Sequence, residues 1–195
     1  MPDYSWARRD DWEAAWQPLV DLVGQDLRPG DVSTAVDRIE PALVRHYLEP
    51  LEFDCPLHVD DEAARAHGYP GMIAPYSGLA TWVSAGVWAP GDDPVYLTDR
   101  RDDQPRFRGR RTARPGPDVN AMFATDVDSE FHRPFVVGDR LALRGRRLLS
   151  VEPKQTRVGR GAFLWYEYDV VDEAGDPVAT WRICMYEYVA AEGSG

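Results

Sequence analysis

The amino-acid sequence predicts an α+β fold in which an antiparallel sheet curls around one buried helix. Helical patterns fill the first half of the chain and strand patterns the second, and this segregation is typical of α+β rather than alternating α/β proteins. Between the halves, residues 76–88 (YSGLATWVSAGVW) are the most apolar helical candidate. Their glycines, alanines and serines let other backbone approach closely. We therefore expect residues 76–88 to form the central helix, with Trp82 and Trp88 in the core.

The first 30 residues are predicted to be a helical extension, followed by one domain at 31–190. Apolar residues recur in the extension at helical spacing, and Gly24 and the RPGD segment end the pattern. These apolar positions are Trp12, Trp16, Leu19, Val20 and Val23. Residues 191–195, which end in EGSG, are expected to be a disordered tail.

Three shorter elements are predicted ahead of the central helix. STAVDRI has the composition of a short strand. EPALVRHYLEPL is a helix candidate with Pro41 in its first turn and Pro50 at its end. Asp60 or Asp61 is expected to cap a further helix that Gly68 closes.

The second half of the chain is predicted to supply the sheet. β-branched and aromatic residues dominate four segments, which are residues 120–131, 138–152, 161–172 and 177–190. DEAGDP, between the last two segments, is typical of a hairpin turn. GRGA at 159–162 is interpreted as a further connection.

Composition excludes several classes of function. Of the 195 residues 44% are hydrophobic and 28% charged, which is ordinary for a globular domain with a sizeable core. A net charge of −11 disfavours nucleic-acid and anionic membrane partners. Two distant cysteines are too few for a disulfide framework or a zinc site. With no signal-peptide pattern and no membrane-spanning run, we expect a cytoplasmic protein.

The segment CPLHVDDEAARAHGYPGMIAP, at 55–75, resembles the hydratase segment of MaoC-like (R)-specific enoyl-CoA hydratases and 3-hydroxyacyl-thioester dehydratases. The family pattern runs D-x-N-P-[IL]-H-x-D, then a small-residue helix, Gly-[FY] and a second loop. The stretch 130–188 resembles its strand region, with Arg-Pro at 133–134 and Gly-Asp at 138–139. Within the family, the resemblance is to the larger subunit of heteromeric steroid enoyl-CoA hydratases and to fungal fatty-acid-synthase-type dehydratase domains. It covers about residues 30–190 and implies a hotdog fold.

The resemblance also implies where the chemistry lies. The family mechanism uses an Asp and a His on one loop to activate water for addition to an enoyl thioester, and dehydration is the reverse. Carried onto this chain, the histidine is His58, but the aspartate position holds Phe53 and the asparagine position holds Cys55. The catalytic candidates are therefore His58 and Asp54, which lies one residue after the aspartate position. Phe53 and Cys55 are candidate substrate contacts. The alternative is that His58 is only a hydrogen-bonded loop residue.

Further substrate contacts are expected at two places. In the family a backbone N–H at the start of the central helix polarises the thioester oxygen, and here the donor would be the N–H of Tyr76 or Ser77. In an arginine-rich stretch, Arg106 and Arg108 could bind the phosphates of acyl-CoA, the alternative being a solvated loop. Neither a metal nor a cofactor is expected besides an acyl-CoA or acyl-carrier-protein thioester.

Two classes of function remain open. In the first, the chain is an active hydro-lyase on an acyl thioester, with His58 and Asp54 as its acid–base groups. In the second, it is a non-catalytic hotdog subunit that shapes the acyl pocket and completes a heteromer with a smaller MaoC-like subunit. A repurposed hotdog enzyme is a third possibility, either a thioesterase or a dehydratase or cyclase of secondary metabolism. We expect a homodimer or heteromer, because an unpaired sheet edge is usually covered.

Overall fold

The computed structural model describes residues 2–86, 88–91 and 115–191. One antiparallel sheet has five strands in the order β1-β3-β4-β5-β2. The strands are β1 (Val32–Thr34), β2 (Ala121–Phe131), β3 (Ala142–Thr156), β4 (Gly159–Val171) and β5 (Pro177–Ala190). The α-helices are α1 (Gln17–Val20), α2 (Pro41–Leu48), α3 (Asp61–Ala66) and α4 (Leu79–Trp82). Turns of 3₁₀-helix occupy Ser5–Arg8, Trp12–Trp16, Glu49–Leu51, Pro56–His58 and Tyr76–Gly78.

The four long strands confirm the prediction for the second half of the chain. The DEAGDP turn is also confirmed, since Asp172 N–H donates to the Asp176 carbonyl. The connection predicted at 159–162 is wrong, because Thr156 pairs with Gly159 and the turn is the two residues between them. A Cβ added at Gly159 or Gly161 would overlap the backbone of β5, so these glycines serve close strand packing rather than a turn.

The short helix α4 packs against one end of the sheet. Leu79, Trp82 and Val83 are buried in a cluster with residues of α2, β4 and β5. The loop residue Phe135, fully buried, belongs to the same cluster. A buried helix held by a curled antiparallel sheet is the hotdog arrangement, and the α+β prediction is confirmed.

The predicted extent of the central helix is wrong. Helical backbone runs only from Tyr76 to Trp82, rather than across 76–88. The chain leaves the helix at Ser84, whose carbonyl accepts the N–H of Val36. Trp82 is buried as expected, but Trp88 is half-exposed and is not a core residue.

The N-terminal segment covers the part of the sheet that α4 does not reach. Trp6, Trp12, Trp16 and Leu19 are buried against Leu148, Leu164 and Tyr166. Because Leu164 and Tyr166 lie an even number of residues from Val170, they share the face of β4 that packs on the α4 cluster. Val20 and Val23 are exposed, which corrects their predicted place on the apolar face. Much of the segment is 3₁₀ helix, so a 3.6-residue period does not hold along it.

Candidate functional site

The loop that carries His58 is held at both of its ends. Pro56–His58 form a 3₁₀ turn in which His58 N–H donates to the Cys55 carbonyl at 3.1 Å. The turn leads into α3, where Asp60 Oδ1 accepts the N–H of Glu62 at 2.8 Å and of Ala63 at 3.2 Å. Asp60 is therefore the predicted cap of α3. The turn fixes the backbone that presents His58, and the cap fixes the start of α3.

The imidazole of His58 is anchored through one nitrogen. Its Nδ1 lies 2.8 Å from the carbonyl oxygen of Ile73. Because a carbonyl oxygen can only accept, Nδ1 carries the hydrogen, and Nε2 of the neutral ring keeps a lone pair. No residue of the described ranges hydrogen bonds to Nε2. His58 is half-buried, so Nε2 is the nitrogen available for acid–base chemistry or for a ligand.

Phe53, rather than a carboxylate, packs against this histidine. The ring centroids of Phe53 and His58 lie 5.7 Å apart at an interplanar angle of 41°. Phe53 is itself half-exposed. Asp54 is exposed and forms no hydrogen bond or ion pair with any described residue. The structure thus brings Phe53 to His58, whereas Asp54 forms no hydrogen bond with His58.

The thiol of Cys55 lies in the same loop but is not paired with the imidazole. Cys55 is a half-buried free cysteine, and its carbonyl, not its sulfur, contacts His58. In the described part of the chain no hydrogen bond joins the sulfur to a histidine. The geometry therefore gives no support to a nucleophile–base pair of Cys55 and His58.

Tyr76 and Ser77 begin the central helical segment, as predicted. The backbone N–H groups of Tyr76 and Ser77 have no acceptor among the described residues, which is usual for the first turn of a helix. The Tyr76 ring lies 4.3 Å from that of Phe131 and 5.7 Å from that of Phe135. Burial, with a smaller effect of Tyr69, raises the pKa of the Tyr76 phenol. Ser77 is exposed. Two unsatisfied donors and an aromatic platform therefore lie together at the helix start.

A buried bridging segment, residues 71–75, joins the His58 loop to this helix start. On one side, Ile73 N–H donates to the Leu57 carbonyl at 3.1 Å while the Ile73 carbonyl accepts from His58. On the other side, Ala74 N–H donates to the Phe135 carbonyl at 2.8 Å. Ile73 also forms an isolated antiparallel bridge with Val136. The bridging segment is thus the common support of both parts of the candidate site.

Arg133, whose role the sequence left open, supports the far side of the bridging segment. Its guanidinium donates to Asp139 Oδ2 at 2.7 Å, to Asp172 Oδ2 at 3.2 Å and to the Pro134 carbonyl at 2.9 Å. Asp139 also accepts the N–H of Val136. The hydrogen bond with Asp139, ahead of the interaction with Asp172, raises the pKa of Arg133. Arg133 and Asp139 belong to the Arg-Pro and Gly-Asp steps through which the sequence resembles the family.

The remaining predicted contacts lie outside the site or outside the described chain. Arg106 and Arg108 fall in residues 92–114, beyond the described ranges. Among the described residues, no three His, Cys, Asp or Glu side chains form a group that could hold a metal ion. None of the described helices is both long and apolar enough to cross a bilayer.

Comparison with known proteins supplies the family. A family model described as "FAS1-like, dehydratase domain region" matches residues 24–181. The chain belongs to this family. It is a FAS1-like dehydratase domain of the MaoC-like hotdog type, as the resemblance of its loop and strands predicted.

Two curated relatives of this FAS1-like dehydratase domain are hydratase subunits by name. The "3-oxo-4,17-pregnadiene-20-carboxyl-CoA hydratase alpha subunit" of Mycobacterium tuberculosis is 26% identical over 171 residues, which cover 85% of this chain and 50% of the relative. A "probable enoyl-CoA hydratase alpha subunit" of Thermomonospora curvata is 28% identical over 182 residues, covering 84% and 49%. The chain therefore spans about half the length of these curated relatives.

Solved structures agree with the domain assignment. A chain of the ChsH1-ChsH2 complex from Mycobacterium tuberculosis superposes with a TM-score of 0.61 at 25% identity, over 94% of this chain and 99% of that one. Rv0216 from the same organism, described as a double hotdog fold, gives a TM-score of 0.51 at 16% identity, over 87% of this chain and 44% of that one. The second likeness supports the fold alone.

Proposed function

We propose that this chain is the pocket-forming subunit of a heteromeric acyl-thioester hydratase or dehydratase. A smaller MaoC-like subunit would supply the Asp/His pair that adds or removes water at a 2-enoyl or 3-hydroxyacyl thioester. The contact between the rings of Phe53 and His58 carries this proposal. Activation of a water requires polar groups that bind it and accept its proton, and a phenyl ring can do neither.

The comparisons support a heteromer in two ways. Two curated relatives are named alpha subunits, which implies at least one further kind of subunit in those two proteins. The similar solved chain belongs to a complex of two named proteins. For this chain, the long edge strand β2 is the candidate pairing edge, because no other described strand lies beyond it.

In this role, the loop that carries Phe53, Cys55 and His58 would form one wall of the acyl pocket. At the helix start, the free N–H of Tyr76 or Ser77 would bind the thioester oxygen, and the Tyr76 ring would flank the acyl group. Phosphate binding by Arg106 and Arg108 remains a prediction for an acyl-CoA substrate.

One observation favours a second function, in which the chain is a hydro-lyase by itself. The Nδ1–H of His58 is held by the Ile73 carbonyl, which leaves Nε2 ready to accept a proton, as in a working general base. A second acid would then have to come from Asp54 after movement of its loop. The exposed, unpaired state of Asp54 makes this function the weaker of the two.

The test is a hydration assay on 2-enoyl thioesters with the purified chain, alone and together with a candidate short MaoC-like subunit. The proposal predicts hydration only by the complex. Full hydration activity of the chain alone would replace the proposal with the second function. Absence of hydration and dehydration in both samples, with a stable complex in hand, would remove both.

A further inference from the structure

We infer that Asp61 is the positioning residue that fixes the orientation of the His58 ring, and with it the pocket wall that His58 forms with Phe53. The inference rests on the proposed function for its effect on substrate binding, whereas its effect on the His58 ring is independent of that function. Asp61 follows the cap Asp60 and is the first residue of α3. Its position in sequence suggested a second possible cap, but the structure gives its carboxylate a different task.

The carboxylate of Asp61 connects its own helix to the bridging segment. Its Oδ1 accepts the backbone N–H of Met72 at 2.9 Å, and its Oδ2 accepts from Nε of Arg65 at 2.7 Å. The ion pair with Arg65, followed by the hydrogen bond from Met72, lowers the pKa of Asp61, so the carboxylate is ionised at neutral pH. A charged acceptor strengthens the hydrogen bond to Met72.

The next residue in the bridging segment is the one that holds His58. The Ile73 carbonyl accepts from Nδ1 of His58, and Ile73 N–H returns to the Leu57 carbonyl beside it. Two hydrogen bonds therefore connect the loop at 57–61 to the bridging segment. Asp61 accepts the N–H of Met72, and His58 donates to the carbonyl of the next residue, Ile73. Loss of the Asp61 carboxylate removes the hydrogen bond that holds Met72, the residue next to the Ile73 carbonyl that selects the His58 tautomer.

The lack of a side chain at Gly71 leaves space for the contact between Asp61 and Met72. A Cβ added at Gly71 would lie 3.0 Å from Asp61 Oδ1 and 3.5 Å from an Nη of Arg65. The φ angle of Gly71 is not in the left-handed region, so its backbone does not explain the need for glycine there. The absence of a side chain instead gives the Asp61 carboxylate room to reach Met72.

The experiment compares four variants by two readouts. The variants are Asp61→Ala, Asp61→Asn, Arg65→Ala and Asp60→Ala. The first readout is the ¹⁵N NMR signature of the His58 ring in the purified chain, which reports which ring nitrogen carries the hydrogen. The second is the KM and kcat of the complex with its smaller subunit on a 2-enoyl thioester.

Asp61→Ala is expected to replace the single Nδ1–H tautomer of His58 with a mixture, and to raise KM roughly two- to tenfold, the range that one hydrogen bond supplies, with kcat unchanged. Asp61→Asn keeps an oxygen acceptor for Met72 and Arg65→Ala keeps the carboxylate, so both should retain the wild-type tautomer. Asp60→Ala removes the cap of the same helix without touching Met72. It should lower the melting temperature of the chain but leave the tautomer unchanged.

A wild-type tautomer in folded Asp61→Ala would overturn the inference. So would an equal tautomer change in Asp60→Ala, because a loss of helix stability would then explain both variants. A failure of the proposed function would give a different result. The wild-type complex would then lack hydration activity, while the tautomer of His58 would still change in Asp61→Ala.

Discussion

The ring of Phe53 lies 5.7 Å from the ring of His58, at the loop position where the MaoC-like family carries its aspartate. The two rings are tilted by 41° to one another, and the Nδ1 of the imidazole is held by the carbonyl of Ile73. His58 is thus well oriented, but no acidic side chain of the described residues hydrogen bonds to it. This arrangement suits a pocket wall better than a site that binds and activates water, and the predictions follow from it.

Restoring the family's Asp and Asn in the loop should give this chain part of the family's hydratase activity. The double variant Phe53→Asp with Cys55→Asn places a carboxylate and an amide beside His58. We expect it to give the isolated chain measurable hydration of a 2-enoyl thioester, because one acid–base group contributes about 10²–10⁴-fold. Phe53→Leu with Cys55→Asn is the matched control and should remain inactive. If the wild-type chain alone already hydrates the substrate and His58→Ala abolishes this, the interpretation of Phe53 is wrong.

The N-terminal segment is expected to be part of the cooperative fold. Trp16 is fully buried, and its ring lies 5.6 Å from that of Trp6 in an edge-to-face arrangement. Trp16→Ala should lower the free energy of unfolding by about 3–5 kcal/mol, measured by urea denaturation. Val23→Ala, at a residue that is 43% exposed, should change it by less than about 0.5 kcal/mol. Equal stability of the two variants would mean that the segment docks independently of the domain.

The Arg133 network should stabilise the support of the bridging segment. Removal of the guanidinium leaves Asp139, a largely buried carboxylate, without its ion-pair partner. Arg133→Met is therefore expected to lower the free energy of unfolding by roughly 2–3 kcal/mol. Arg133→Lys should recover only part of this, because an ammonium cannot bridge both Asp139 and Asp172 as a planar guanidinium does. Recovery of full stability in Arg133→Lys would show that charge alone matters.

The same network predicts that the stability of the fold depends on pH. Partial burial of Asp172 opposes its ionisation, but the N–H of Asp176, Arg133 and the N–H of Ala174 together lower its pKa. A carboxylate with a depressed pKa stabilises the fold at pH values above its unfolded pKa, about 3.9, and loses this contribution as pH falls through the folded pKa.

In thermal melts, wild type should therefore exceed Asp172→Asn at neutral pH, and the difference should shrink below about pH 4. Asn at this position keeps an oxygen for the two turn N–H groups, so the comparison removes the charge and the acceptor for Arg133 but retains the turn. A constant difference across this pH range would contradict the assigned role of the Asp172 carboxylate.

Much of the fold followed from local patterns. The long strands are rich in β-branched and aromatic residues over more than ten positions each, and such runs leave few alternatives. Asp60 was predicted as the cap of α3 because aspartate is a favoured residue at the start of helices. The central helix was overestimated, because the apolar composition of 76–88 does not reveal that Ser84 turns away to bind Val36. Tertiary packing also made 3₁₀ turns of an N-terminal segment whose spacing suggested a regular helix.

The site was less accessible from sequence than the fold. The alignment of the loop pointed to His58 and to the replacement at Phe53, and the structure brings these two rings together. The supports of His58 were not foreseen. Ile73 acts through a backbone carbonyl, which any residue possesses, and Asp61 through a contact with Met72 eleven residues away. Such contacts depend on how the loops meet, and no local residue pattern encodes them.

The most direct test of the central claim is which subunit of the complex carries the acid–base groups. Hydration of a 2-enoyl thioester should be measured for the complex with His58→Ala and Asp54→Asn in this chain, and separately with the Asp and His of the smaller subunit replaced. We predict a kcat within a few-fold of wild type for the changes in this chain, and loss of about 10²–10⁴-fold for those in the smaller subunit. A comparable loss on His58→Ala, with the smaller subunit's pair dispensable, would contradict the account and make His58 the working base.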